Sequence, residues 1–108
     1  MFSSVQLVVT TFKDPETAAQ VIRTLVEEKL IACGTIIPAT QSIYLWNDKI
    51  ESSIESMVIL KTFDTLATAL ESRITALHPY DTPEIVYLDA QHVSEKYLHW
   101  MMTTLLKN

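Results

Sequence analysis

The chain has 108 residues and a mass of 12.3 kDa, with 48% hydrophobic residues and 13 acidic against 8 basic side chains, for a net charge of −5. That length holds one hydrophobic core, so residues 1–108 read as a single domain with no room for a second. The acidic balance without a basic block argues against nucleic acid, one cysteine closes no internal disulfide, and no run reaches the roughly 20 apolar residues of a membrane span.

In chain order, the start lacks a basic leader, so a cytoplasmic protein is the default expectation. Val5 to Phe12 is a β-branched apolar run, the pattern of a central strand covered on both faces. Asp14-Pro15-Glu16 opens a helix: Asp accepts orphan amides as N-cap, Pro at the first position loses nothing, and Glu suits the positive helix end. Ala18, Val21, Ile22, Leu25 and Val26 then form its apolar stripe. From Cys33 to Thr62 the sequence reads as one long hairpin with arms of 14 residues and a tip at Asn47-Asp48. Ordinary strands run about 5–6 residues, so these arms overshoot the sheet of so small a domain.

With Asn47 and Asp48 as the turn, Trp46 faces Lys49, Leu45 faces Ile50, Tyr44 faces Glu51 and Ile43 faces Ser52. One face of the tip is then aliphatic and the other aromatic with charged neighbours. Such an apolar protrusion predicts self-association through the 33–62 hairpin. Pro38 makes the first arm an edge strand or places a bulge there, Gly34 serves close packing or a bend, and the apolar run Met57 to Leu60 makes the second arm central. Asp64 is expected to cap the next helix, in which Leu66, Leu70, Ile74 and Leu77 line one face and which ends at His78, before Pro79. Glu84 to Asp89 follows as a strand. Ser94 caps a last helix with Tyr97, Leu98, Met101, Met102 and Leu105 inward, and Lys107-Asn108 frays. The order β-α-β-β-α-β plus a helix predicts an α+β, ferredoxin-like sandwich with both main helices on one face of a four-stranded sheet. The other face is left to the terminal helix or to partner subunits.

Chemistry concentrates in His78-Pro79-Tyr80-Asp81-Thr82-Pro83-Glu84, where two prolines hold an imidazole, a phenol and carboxylates in nearly fixed geometry. The functional reading is a ligand or metal pocket using His78, Tyr80 and Glu84 beside a neighbour's hairpin. The plainer reading is a rigid turn in which His78 caps helix carbonyls. Cys33 is a candidate thiol or a small buried hydrophobe, Lys61 a cation for an anionic ligand or a strand-end gatekeeper. Tyr44, Trp46, Tyr97 and Trp100 are stacking platforms or interface aromatics. His92, Glu95 and His99 fit a solvated face better than a metal site. One glycine excludes a glycine-rich phosphate cradle, and G-x-S-x-G, H-E-x-x-H and EF-hand motifs are absent.

Ala32-Cys33, Ile37-Pro38, Ser42-Ile43-Tyr44, Trp46, Lys49-Ile50-Glu51, Ile59-Leu60-Lys61-Thr62, His78-Pro79-Tyr80, Thr82-Pro83-Glu84, Tyr97-Leu98 and Trp100 together resemble the CutA family of divalent-cation tolerance proteins, in register over nearly the whole chain. The resemblance implies a ferredoxin-like homotrimer, similar in architecture to the PII signalling proteins, whose hairpins wrap neighbouring subunits around ligand clefts. It implies a non-enzymatic role linked to copper and other divalent ions in bacteria. The Cys and His ligands implied for copper fall on the first strand and just before H-P-Y, where this chain has Thr10 and Leu77. His78 is the metal candidate that carries over. The ligand-cleft candidates are Cys33, Tyr44, Trp46, Lys61, His78, Tyr80, Glu84 and Trp100. The alternative is a small enzyme on the same fold with His78 as general acid or base.

Overall fold

In the computed structural model, which describes residues 3–106, strand β1 spans Val5–Phe12 and helix α1 spans Pro15–Glu27. Strands β2 (Cys33–Trp46) and β3 (Lys49–Phe63) form the hairpin; a short 3-10 turn over Asp64–Leu66 leads into α2 (Ala67–Leu77), followed by β4 (Val86–Asp89) and α3 (Glu95–Leu105). The strands make one antiparallel sheet in the order β2-β3-β1-β4. This is the ferredoxin-like arrangement, with β3 and β1 central and β2 and β4 at the edges.

Helix α1 starts as its sequence dictates: Asp14 accepts the Thr17 amide at 2.7 Å and Pro15 occupies the first turn. Its end is less comfortable. The Leu30 amide bonds the Leu25 carbonyl and the Lys29 amide bonds that of Val26, a Schellman closure that puts Lys29 at φ 58°, where glycine is normally found. The single glycine is used elsewhere. A Cβ on Gly34 would stand 3.0 Å from side-chain carbons of both Ile22 and Leu60, so Gly34 lets α1 settle onto β2 and β3.

The main core lies between the sheet and the two helices. Val8 and Phe12 of β1 and Val58 and Leu60 of β3 meet Ala18, Val21, Ile22 and Leu25 of α1 and Leu70 and Ile74 of α2. Arg73 of α2 grips Glu28 with three hydrogen bonds of 2.8 to 3.1 Å, tying the C-terminal end of α1 to the middle of α2. On the opposite face α3 brings Met101 and Leu105 onto Val5, Ala32 and Phe63, covering one end of the sheet.

The hairpin forms in the expected register, from Cys33↔Lys61 to Trp46↔Lys49, with Asn47 and Asp48 both at positive φ as a type I′ turn requires. Pro38 does both things expected of it: β2 is an edge strand, and the register shifts between Ile37 and Thr40, where Ala39 takes φ 58°. The radius of gyration, 14.7 Å, exceeds the about 13 Å of a compact domain this size. The excess is the hairpin, which extends the molecule to 46 Å along its longest axis.

Four local expectations are corrected. Asp64 caps no helix; its carboxylate accepts the Ser4 amide at 2.9 Å, and its own amide returns to the Ser4 carbonyl, so it fastens the start of β1. Ser94 sits at the N-cap of α3 without a side-chain capping bond. The last strand begins at Val86, not Glu84, because Thr11, which a longer strand would place opposite Glu84, gives its carbonyl to His78. In α3 only Met101 and Leu105 are fully buried, with Leu98 partly so; Tyr97 and Met102 lie outside because the helix covers only part of the sheet face. The fraying expected of Lys107 and Asn108 falls outside the described residues.

Replacing Lys29 by glycine should stabilise the fold by about 0.5–1 kcal/mol, since it removes left-handed strain without touching a core contact. Thermal or urea unfolding reads this directly; an unchanged or lowered midpoint contradicts the strain argument.

Candidate functional site

The structure divides the eight candidate residues among three places. Tyr44, Trp46, Tyr80 and Glu84 line one groove of about 800 Å³, together with Thr11, Lys13, Glu51, Ser53, Ile54, Glu55, Asp81 and Thr82. Cys33, Lys61 and Trp100 lie at the other end of the sheet, beside α3. His78 belongs to neither, being buried under the end of β1.

The groove follows from the hairpin register. Tyr44 pairs with Glu51 and Trp46 with Lys49, and Glu51, Ser53 and Glu55 alternate onto one face of β3, so the aromatic and acidic side chains share a surface. The segment after α2 forms the other wall. Tyr80 reaches across to donate its hydroxyl to Glu55 Oε2 at 2.8 Å, joining that wall to the hairpin. Burial first, then this hydrogen bond and the Glu55 charge, push the Tyr80 phenol up to about 12, so it stays a donor at neutral pH. Four carboxylates, Glu51, Glu55, Asp81 and Glu84, face one ammonium, Lys13, along this groove.

His78 sets the position of Tyr80. The Tyr80 amide donates to Nδ1 at 3.1 Å, so Nδ1 carries the lone pair and Nε2 the proton, which it donates to the Thr11 carbonyl at 2.7 Å. The ring stacks on Phe12, with centroids 4.3 Å apart, and is only 7% exposed. Its one lone pair is therefore taken, which removes His78 from the metal-ligand role expected of it, and it does not line the groove where a general acid or base would act. Among the described residues no three His, Cys, Asp or Glu side chains gather as a metal site. Thr10, at a position where the family resemblance implied a metal ligand, is fully buried with its hydroxyl unpaired.

At the far end, the Lys61 ammonium donates to Thr35 Oγ1 at 3.2 Å and to Cys33 Sγ at 3.6 Å, and Tyr97 Oη lies 3.4 Å from the same sulfur. Trp100 packs on Tyr97 with ring centroids 5.4 Å apart. Lys61 and Glu55 are six residues apart on β3, about 20 Å along the strand, so the two clusters do not form one site within a chain.

Sequence reasoning missed Glu55, Thr11 and Lys13. Glu55 was accessible from the hairpin register, since it shares the face of Glu51; Thr11 and Lys13 enter only because β1 ends beside the 78–84 segment, which no local pattern encodes.

An antiparallel sheet backed by two helices, with a hairpin projecting past its core and an acidic, aromatic groove along one face of that hairpin, defines a ferredoxin-like α+β protein. The model of the CutA1 divalent ion tolerance protein family matches residues 6–104, and the chain belongs to that family. The divalent-cation tolerance protein CutA of Pyrococcus horikoshii is 44% identical over 96 residues, 89% of this chain and 93% of that protein. The crystal structure of the divalent ion tolerance protein CutA1 from Ehrlichia chaffeensis superposes with a TM-score of 0.92 at 34% identity, covering 97% of this chain and 98% of that one. The chloroplastic CutA of Arabidopsis thaliana is 36% identical over 88% of this chain, which spans only 52% of that protein. Family membership thus assigns no compartment. No helix among the described residues is long and apolar enough to cross a membrane.

The His78 geometry has a pH consequence. Burial holds the imidazole below the usual histidine range, opposed by the Thr11 carbonyl and the Glu55 charge. The folded value lies under the unfolded one, so the stability gained from neutral His78 is complete above about pH 6.5 and is lost as pH falls from there through the folded value. Unfolding free energy should therefore decline as pH falls below about 6.5, and His78→Gln should flatten that decline. An equal slope in the two proteins contradicts the assignment.

Proposed function

We propose that the protein is a non-enzymatic homotrimeric binding or signalling protein for divalent metal ion tolerance, copper included, with ligand clefts between its subunits. The observation that carries this is the aliphatic face of the hairpin. Ile43, Leu45, Ile50 and Ile54 share one surface of the tip, and Leu45 and Ile50, which pair with each other across the hairpin, are 68% and 79% exposed. Burying each such side chain contributes about 1.5–3 kcal/mol. Four from every subunit contribute about 6–12 kcal/mol, the same order as the roughly 4–15 kcal/mol that association costs in lost freedom. The groove at Tyr44 and Trp46, on the opposite face of the hairpin and walled by the 78–84 segment of its own chain, then becomes part of a cleft between subunits.

The family is named for divalent-ion tolerance, and the net charge of −5 favours cations over anions. With His78 engaged inside the subunit, a metal ion is held by groups that association brings together. The enzyme alternative loses its general acid or base for the same reason.

Native mass spectrometry of metal-stripped protein titrated with copper(II) tests both halves. The expected series shows a species of three chains that takes up copper in whole numbers per subunit. A trimer that stays free of copper contradicts the metal role, and a monomer contradicts the assembly.

A further inference from the structure

The two faces of the hairpin tip differ in chemistry, and only the aliphatic one suits a second copy of this chain. The other carries Tyr44 and Trp46, half to two-thirds exposed, beside Glu51, Ser53 and Glu55, and it looks across the groove to Tyr80, Asp81, Thr82 and Glu84. We infer that this groove binds an extended organic polycation, a linear di- or polyamine, with its ammonium groups on the carboxylates and its methylenes on the aromatic faces. This assigns the groove a ligand class distinct from the metal ion proposed above, and rests on that reading only for what covers the aliphatic face.

Three observations point to that class of ligand. The first is charge: four carboxylates against Lys13 repel anions and attract cations. The second is spacing. Glu51 and Glu55 lie on the same face of β3 four residues apart, about 13 Å along the strand, with the hydroxyl of Ser53 between them. A single metal ion cannot reach both, in keeping with the lack of a three-ligand cluster among the described residues, whereas a chain bearing ammonium groups at intervals can. The third is the aromatic lining. Tyr44, Trp46 and Tyr80 offer ring faces that attract ammonium groups and cover the apolar stretch between them. A hydrated ion gains little from such walls.

Tyr80 has a positioning role. Its hydroxyl on Glu55 Oε2 holds the two walls together, and its amide is fixed by His78 Nδ1, so the groove is preorganised before a ligand enters.

The test is isothermal titration of the metal-free full chain with spermidine at physiological salt, with magnesium chloride as the control cation and Trp46 fluorescence as a second readout. The expected result is saturable binding with a site for each chain, no comparable response to magnesium, and affinity reduced roughly tenfold or more in the Glu51→Gln/Glu84→Gln double variant. Trp46→Leu should weaken binding by a few-fold, as expected for a lost cation–π contact, and abolish the binding-induced fluorescence change. No saturation with spermidine, an equal response to magnesium, or undiminished affinity in the carboxamide variant each overturns the inference. Native mass spectrometry of the same samples separates the outcomes: a trimer that ignores spermidine refutes the ligand class and leaves the assembly standing, while a monomer that binds spermidine does the reverse.

Discussion

The fold is governed by a mismatch of length. Strands β1 and β4 have 8 and 4 residues, and β2 and β3 have 14 and 15, so about half of the hairpin has no sheet neighbour and no helix over it. Backbone pairing between β2 and β3 satisfies the inward-pointing amides and carbonyls of the tip, but it leaves the outward-pointing ones and both side-chain faces in water. An isolated two-stranded ribbon is marginal on its own. What keeps this one in place is its root: Gly34 lets Ile22 of α1 close on β2 and on Leu60 of β3, the bulge at Pro38 and Ala39 increases the twist, and Tyr80 ties Glu55 to the segment after α2.

From that constraint the two faces acquire different roles. The aliphatic face has nothing to recognise but another apolar surface. The aromatic and acidic face retains polar groups that water can solvate, and the 78–84 segment stands opposite it, so a groove persists there. His78 serves this groove from beneath. By accepting the Tyr80 amide and donating to the Thr11 carbonyl it joins the turn after α2 to the end of β1, which explains a buried imidazole with no outlet to solvent.

Much of this was legible in the residues. Hairpin register, the two-residue tip at Asn47-Asp48, the break at Pro38, the N-cap of α1 and the order of elements all followed from local patterns, because turn chemistry and side-chain alternation act over a few residues. The site was legible only in part. The sequence gathered Tyr80 and Glu84 through their prolines and paired Tyr44 with Glu51, yet it grouped Cys33, Lys61 and Trp100 with them although those lie at the other end of the sheet. It left His78 between a pocket ligand and a cap on helix carbonyls, and the ring does neither, bonding instead to the Thr11 carbonyl and the Tyr80 amide. Whether an imidazole points into a groove or beneath a strand depends on which carbonyl is free nearby, and Thr11 has no sequence signature for that. Asp64 misled for a related reason: a cap signature was present, but the Ser4 amide was the nearer donor.

The central claim is that the aliphatic hairpin face is an interface between copies of this chain. Sedimentation equilibrium on the wild type and on a Leu45→Asp/Ile50→Asp variant tests it most directly, since these exposed positions make no core contact that folding of one subunit needs. The account predicts a wild-type mass three times the 12.3 kDa of the chain and a folded, monomeric variant. A monomeric wild type, or a variant that keeps the trimer mass, would contradict it.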